Sequence, residues 1–255
     1  MIGSLALLML VAAGPSQPAT TSRAPMPELP AGDRIRVADF VAALEAIAVD
    51  LEDEPAVQDD YARLVAQHGL LDTPELRHDY VRVRMIFESA RDGGLWSLRW
   101  DITNRDPDSK AIWAQWRKAS SPITGASAVA ECDELSALFA HLVYRLGVRK
   151  VGLFWPVWNH VVAVWTVPGE HGPVRLVVPT SQIFLDDDAS LGTDGFDPRK
   201  RKHIYEYRGK DVHGDTELPA ALVRELVERT WTDADRSHAE LQRRRNARSR
   251  ELGGS

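Results

Sequence analysis

The chain has 255 residues, of which 44% are hydrophobic, and it carries a formal net charge of −6 at pH 7 with a pI near 5.8. This length and composition allow one sizeable core with helical additions, while the negative charge argues against a nucleic-acid partner or a general attraction to anionic membranes. The chain has one cysteine, Cys132, which excludes an intramolecular disulfide.

The N-terminal segment has the pattern of a secretory signal peptide. A short apolar run over residues 5–13 is followed by small residues and then by a stretch rich in Pro, Ser, Thr and Ala. We expect a signal peptide over residues 1–13, a disordered linker over residues 14–33, and a periplasmic or secreted product without an integral membrane segment. No Lys or Arg precedes the apolar run, so a buried N-terminal helix is the alternative.

Residues 34–94 are predicted to form a helical cap. Apolar residues recur at helical spacing from Val37 to Leu51, and a second helix is expected from Pro55 to His68, ending at Gly69. Thr73 and Pro74 are typical of an N-cap and a first helical position, which predicts a third helix that runs to the glycines at 93 and 94.

Residues 95–215 are predicted to form the core, as a helix followed by an antiparallel meander. The helix begins near Cys132 and ends at Gly147, and strands are expected over 148–155, 158–167 and 174–178. The acidic run at 186–188 lacks the spacing of a calcium loop and is read as a solvated loop. Residues 216–255 are predicted to be one C-terminal helix with a basic tail.

Cys132 and His160 are the candidate catalytic pair. A thiol at a helix start followed by an imidazole on a later strand is the order in which a Cys-His acyl-transfer site is assembled. The unpaired N–H groups of a helix start favour the thiolate, whereas the neighbours Glu131, Asp133 and Glu134 oppose it by like-charge repulsion. The alternative is that Cys132 is a small buried apolar residue on the core face of its helix.

This order of elements resembles the transglutaminase-like branch of the papain-like cysteine enzymes. The resemblance covers about residues 81–185 and depends on the Cys132 helix, the strand that begins at His160, and the Pro179-Thr180 step on the third strand. It implies an α+β fold with a transglutaminase-like core. The family usually has an aspartate before Pro-Thr that orients the histidine, and this chain has Val178 there. Thr180, Gln182 and backbone carbonyls are the candidates for that role.

The resemblance implies an exported Cys-His enzyme that acts on amide bonds of a peptide or protein substrate. Cys132, His160 and Thr180 would be its site residues, and neither a cofactor nor a metal is expected. Water as acyl acceptor gives a peptidase or amidase, and an amine gives a transamidase. The alternatives are a catalytically inactive transglutaminase-like binding or scaffold module of the cell envelope, and a mainly helical envelope protein with an incidental strand hairpin. Oligomeric state is left open.

The tryptophans divide into two groups. Trp96, Trp100, Trp113 and Trp116 lie close together in the chain, and core packing is expected for most of them. Trp155 and Trp158 precede His160 closely and are candidates for contact with a substrate.

Overall fold

The computed structural model describes residues 24–104, 106–119, 123–157, 160–181, 204–207 and 211–251. The fold is α+β, as predicted. Its helices are α1 (Val37–Leu51), α2 (Pro55–His68), α3 (Pro74–Ala90), α4 (Lys110–Trp116), α5 (Cys132–Arg145), α6 (Ala220–Asp233) and α7 (His238–Glu251). Its strands are β1 (Arg34–Arg36), β2 (Leu98–Trp100), β3 (Ala128–Ala130), β4 (Val151–Val157), β5 (His160–Gly169), β6 (Gly172–Val178), β7 (Tyr205–Glu206) and β8 (Glu217–Pro219). The predicted signal peptide, Gln182, Trp158 and the acidic run at 186–188 lie outside the described residues.

The first three helices form where the sequence predicts them. Gly69 ends α2 with a φ of 58°, a left-handed conformation that suits glycine. The Thr73 side chain accepts a hydrogen bond from the Leu76 N–H at 3.1 Å and caps α3, whose first residue is Pro74. α3 packs on α5, the helix that begins at Cys132, and α1 packs on α3 and α6.

The main sheet is an antiparallel meander with strand order β6-β5-β4-β7. Val161, Ala163 and Trp165 of β5 belong to the large core shared with the helices, whereas Val162 and Val164 belong to a smaller cluster on the other face. The pairing of β4 with β5 shifts in register between Phe154 and Val157. Pro156 lies in that interval and has no N–H for the ladder, which accounts for an irregularity directly beside His160.

A short pair of parallel strands, which the sequence did not predict, directly precedes α5. β2 pairs with β3, and Trp100 lies opposite Ala130, two residues before Cys132. Trp96, Trp113 and Trp116 are almost fully buried and pack edge to face, with centroid separations of 5.8 Å for Trp96–Trp116 and 5.1 Å for Trp113–Trp116. Core packing is therefore confirmed for these three.

The C-terminal region is not one helix, and that prediction is wrong. α6 ends at Asp233, and α7 starts at His238 after Ser237, whose hydroxyl accepts the Glu240 N–H at 3.3 Å. Tertiary contacts fix this break, because the buried Arg84 of α3 donates to the Ala234 carbonyl at 2.8 Å. α7 is also anchored to the body, with His238 Nδ1 2.6 Å from a Glu88 carboxylate oxygen.

The described part of the predicted linker lies against α6. The Arg224 guanidinium donates to the Pro30 carbonyl at 3.1 Å, and the Ala220 N–H donates to the Asp33 carbonyl at 2.9 Å. Among the described helices, none is both long and apolar enough to cross a membrane.

Candidate thiol site at the start of α5

Cys132 is the first residue of α5, and its side chain is buried, with 3% of the residue exposed. The chain reaches this position from β3, so the parallel β2–β3 pair sets the direction in which the helix starts. The Glu131 N–H donates to the Glu134 carboxylate at 2.9 Å, which satisfies one of the N–H groups at the helix start. The first turn of α5 is therefore held by its own acidic residues.

The backbone of Val161 connects β5 to α5 at two points. Its N–H lowers the pKa of the Cys132 thiol, and its carbonyl accepts the Ser136 hydroxyl at 3.3 Å. Cys132 and Ser136 are four residues apart and share one face of the helix. Because His160 directly precedes Val161, the structure brings the histidine-bearing end of β5 against the first turn of α5.

Thr180 joins the same cluster through Ser136. The two hydroxyl oxygens are 2.9 Å apart, and both residues are buried. A serine hydroxyl has one proton. Since that of Ser136 is directed to the Val161 carbonyl, Thr180 is the donor to Ser136. Val178, the residue before Pro179 and Thr180, is fully buried opposite Ala163.

Burial keeps both members of the candidate pair uncharged at rest. It raises the pKa of the Cys132 thiol, and Asp133 and Glu131 raise it further, against the lowering effect of the Val161 N–H. Burial also lowers the pKa of His160 to about 4. A neutral thiol and a neutral imidazole are thus expected at pH 7. The same surroundings raise the pKa of Asp133 to about 6, with burial the main cause.

The acids at the start of α5 have a second role that the sequence did not indicate. A Glu131 carboxylate oxygen accepts the N–H groups of Thr103 at 3.0 Å and of Asn104 at 2.8 Å. A Glu134 carboxylate oxygen accepts the Thr103 hydroxyl at 3.0 Å. These bonds fasten the segment that follows β2 to the helix start, beside the thiol.

Asp92 ties Trp100 to the same end of the sheet. Its N–H donates to the Thr180 carbonyl at 2.8 Å, and its carboxylate accepts the Trp100 N–H at 2.7 Å. The Trp100 indole N–H is buried and forms no hydrogen bond with the described residues. Burial raises the pKa of Asp92, with the Trp100 N–H and neighbouring arginines acting in the opposite direction.

No family model, curated protein or solved structure matches this chain. Among the described residues, no three His, Cys, Asp or Glu side chains are grouped as a metal site would require.

Sequence reasoning selected Cys132, His160 and Thr180 but missed Ser136, Asp92 and the backbone of Val161. Ser136 had a visible signal, because it is a polar residue within the apolar stripe of α5. Asp92 had none, because its two partners are set by the tertiary structure. The backbone role of Val161 is independent of its side chain and leaves no trace in the sequence.

Proposed function

We propose that this protein has a transglutaminase-like core and acts as a thiol acyl-transfer enzyme on amide bonds of peptides. The observation that carries the proposal is the contact of the Val161 backbone with α5, where its carbonyl accepts the Ser136 hydroxyl at 3.3 Å and its N–H lowers the pKa of the Cys132 thiol. It brings the start of the histidine strand to the start of the cysteine helix, as a Cys-His site needs.

In the proposed reaction, neutral His160 takes the Cys132 proton as the sulfur attacks the amide carbonyl. The imidazolium then gives that proton to the leaving amine, and an acyl-enzyme thioester remains. Water or a second amine attacks the thioester, His160 takes a proton from the attacking group, and the thiol is restored. The lowered pKa of His160 leaves the ring unprotonated at pH 7 and able to accept a proton, and it also makes the ring a weaker base than a free imidazole.

The oxyanion formed on the carbonyl needs hydrogen-bond donors. The backbone N–H of Cys132 is one candidate, because the N–H groups at a helix start have no partner within the helix. We assign the second to the Trp100 indole. Its strand lies next to the segment that enters α5, and its buried N–H forms no hydrogen bond with the described residues.

Thr180 is proposed to take part of the role of the missing aspartate. Its proton is directed to Ser136, and its oxygen keeps lone pairs that an imidazole N–H can use. A neutral hydroxyl accepts more weakly than a carboxylate, so the imidazolium would be stabilised less than in a complete triad.

The second candidate is an inactive transglutaminase-like module that binds peptides or serves as a scaffold in the cell envelope. Burial of Cys132 and His160 favours it, because both pKa shifts oppose formation of the thiolate and imidazolium. The apolar Val178 favours it as well. Export to the periplasm or medium is proposed for both candidates, from the apolar segment at 5–13.

The test uses iodoacetamide, which reacts with the thiolate of the one cysteine. We expect His160→Ala to slow alkylation near pH 7 by at least about tenfold, because the variant lacks the base that removes the thiol proton. His171→Ala is the matched control, since His171 is exposed in the turn between β5 and β6. Equal rates for all three proteins would exclude the enzyme and leave the inactive module.

Turnover is measured separately with a glutamine-containing peptide, with and without an added primary amine. Ammonia release that requires both Cys132 and His160 is the expected result. Incorporation of the amine would identify a transamidase, and release with water alone would identify an amidase.

A further inference from the structure

We propose that Ser136 is a positioning residue of the thiol site, and that together with Thr180 it fixes the Val161 peptide which aligns His160 on Cys132. This inference rests on the function proposed above and goes one step further, because it names the residues that position the peptide between His160 and Val161. It depends on a chain of hydrogen bonds between three elements: β6, α5 and β5.

The direction of the chain follows from proton counting. The Thr180 hydroxyl donates to Ser136 at 2.9 Å, and the Ser136 hydroxyl donates to the Val161 carbonyl at 3.3 Å. Thr180 is itself fixed, because its carbonyl accepts the Asp92 N–H at 2.8 Å and its N–H donates to the Val178 carbonyl at 3.1 Å. The hydroxyl of Ser136 therefore connects the end of β6 to the beginning of β5.

The backbone of Val161 links Ser136 to Cys132. Its carbonyl is held by Ser136, and its N–H, from the peptide shared with His160, lowers the pKa of the Cys132 thiol. A shift of this residue would weaken the effect of its N–H on the thiol and would displace the backbone of His160 at the same time. Nearby, Pro156 interrupts the ladder between β4 and β5, so the regular strand pairing does not by itself fix this point.

Because the hydroxyls of Ser136 and Thr180 are buried, the loss of either one is expected to have a measurable effect. Ser136 and Thr180 are 0% and 1% exposed, so water does not replace either partner when the other is removed. In a role confined to packing, the loss of either hydroxyl would lower thermal stability and leave the ionisation of Cys132 unchanged. In the positioning role, it changes that ionisation.

The chain offers a matched control in a second buried hydroxyl pair. Ser89 of α3 and Thr230 of α6 have oxygens 3.4 Å apart, and both residues are fully buried. Removal of the Ser89 hydroxyl is expected to lower stability and to leave the Val161 peptide in place.

The experiment is the pH dependence of iodoacetamide alkylation of Cys132 in the intact chain. We expect Ser136→Ala and Thr180→Val to move the midpoint of the profile to higher pH and to slow the reaction near pH 7 by about tenfold, the equivalent of one lost hydrogen bond. Thr180→Ser keeps the hydroxyl and should restore the wild-type profile, and Ser89→Ala should retain it. Melting curves confirm that each variant is folded.

The outcomes distinguish this inference from the proposed function. If His160→Ala slows the reaction while Ser136→Ala and Thr180→Val react as wild type, the positioning role is wrong and the Cys-His assignment stands. If His160→Ala has no effect, the proposed function fails first. Should Ser136→Ala not fold, the comparison of Thr180→Val with Thr180→Ser decides, and identical profiles for those two would overturn the inference.

Discussion

Replacement of His141 by leucine should make the protein more stable in acid than the wild type. His141 lies on α5, is fully buried, and contacts the rings of Trp113 and Tyr207 edge to face at 5.7 and 6.3 Å between centroids. Neither of its ring nitrogens forms a hydrogen bond with the described residues. An apolar side chain of similar size therefore leaves no described partner unsatisfied.

The magnitude follows from the shift of its pKa. Burial lowers the pKa of His141 from 6.5 to about 4, with Asp211 acting against the shift and Arg145 with it. Between these values the unfolded chain binds a proton that the folded chain does not, so stability falls as the pH falls from 6.5 to 4. One group shifted in this way removes about 3 kcal/mol from the free energy of unfolding at pH 4, relative to pH 7.

Two other groups near the thiol titrate in the same range. His160, with a pKa of about 4, acts in the same direction as His141. The pKa of Asp133 is raised to about 6, so its folded form holds the extra proton, and its contribution to stability falls as the pH rises from 3.8 to 6. Near pH 5 the three groups together leave a net of about one extra proton on the unfolded chain. The free energy of unfolding therefore rises with pH by about 1.4 kcal/mol per pH unit.

Urea unfolding at a series of pH values from 4 to 7 measures this slope. We expect His141→Leu to lower the slope near pH 5 by about 1.4 kcal/mol per pH unit, and Asp133→Asn to raise it by a similar amount. His171→Leu, in an exposed turn, should leave it unchanged. The reasoning is refuted if His141→Leu has the wild-type slope, because His141 would then have the same proton affinity in both states.

Two further predictions concern the oxyanion and the C-terminal region. Trp100→Phe should lower amide turnover by about 100-fold and leave iodoacetamide alkylation unchanged, because only the amide reaction forms an oxyanion; equal turnover would exclude the indole as a donor. Arg84→Ala should lower the free energy of unfolding by about 2–3 kcal/mol in urea titrations, because the Ala234 carbonyl loses its donor and the buried Asp60 loses one arginine partner while it keeps Arg63. A loss below about 1 kcal/mol would mean that water reaches this ion pair.

The sequence by itself determined the local structure. Thr73 and Pro74 predicted the start of α3, Gly69 and Gly147 predicted helix ends, and both glycines have positive φ, at 58° and 93°. The order of a helix at Cys132 followed by an antiparallel meander was also predicted. These features depend on residues within a few positions of one another, so composition and spacing were sufficient.

The tertiary structure decided where the helix breaks near the C-terminus. No proline or glycine interrupts residues 220–251, so local propensity allows one continuous helix. The buried Arg84 instead binds the Ala234 carbonyl, and Glu88 binds His238. The contacts of a distant helix thus outweigh the propensity of the local sequence to continue the helix.

The tertiary structure also decided the composition of the thiol site. Cys132, Ser136, Val161 and Thr180 meet because α5 docks on the end of the meander where β5 begins and β6 ends. Cys132 and Thr180 are far apart in the chain, and one of the groups that joins them is a backbone peptide, whose position no side-chain pattern encodes. The helix start and the acids beside Cys132 could be recognised in the sequence. The charge states of the thiol and the imidazole depend in addition on burial, and the removal of water from these groups results from the packing of several elements.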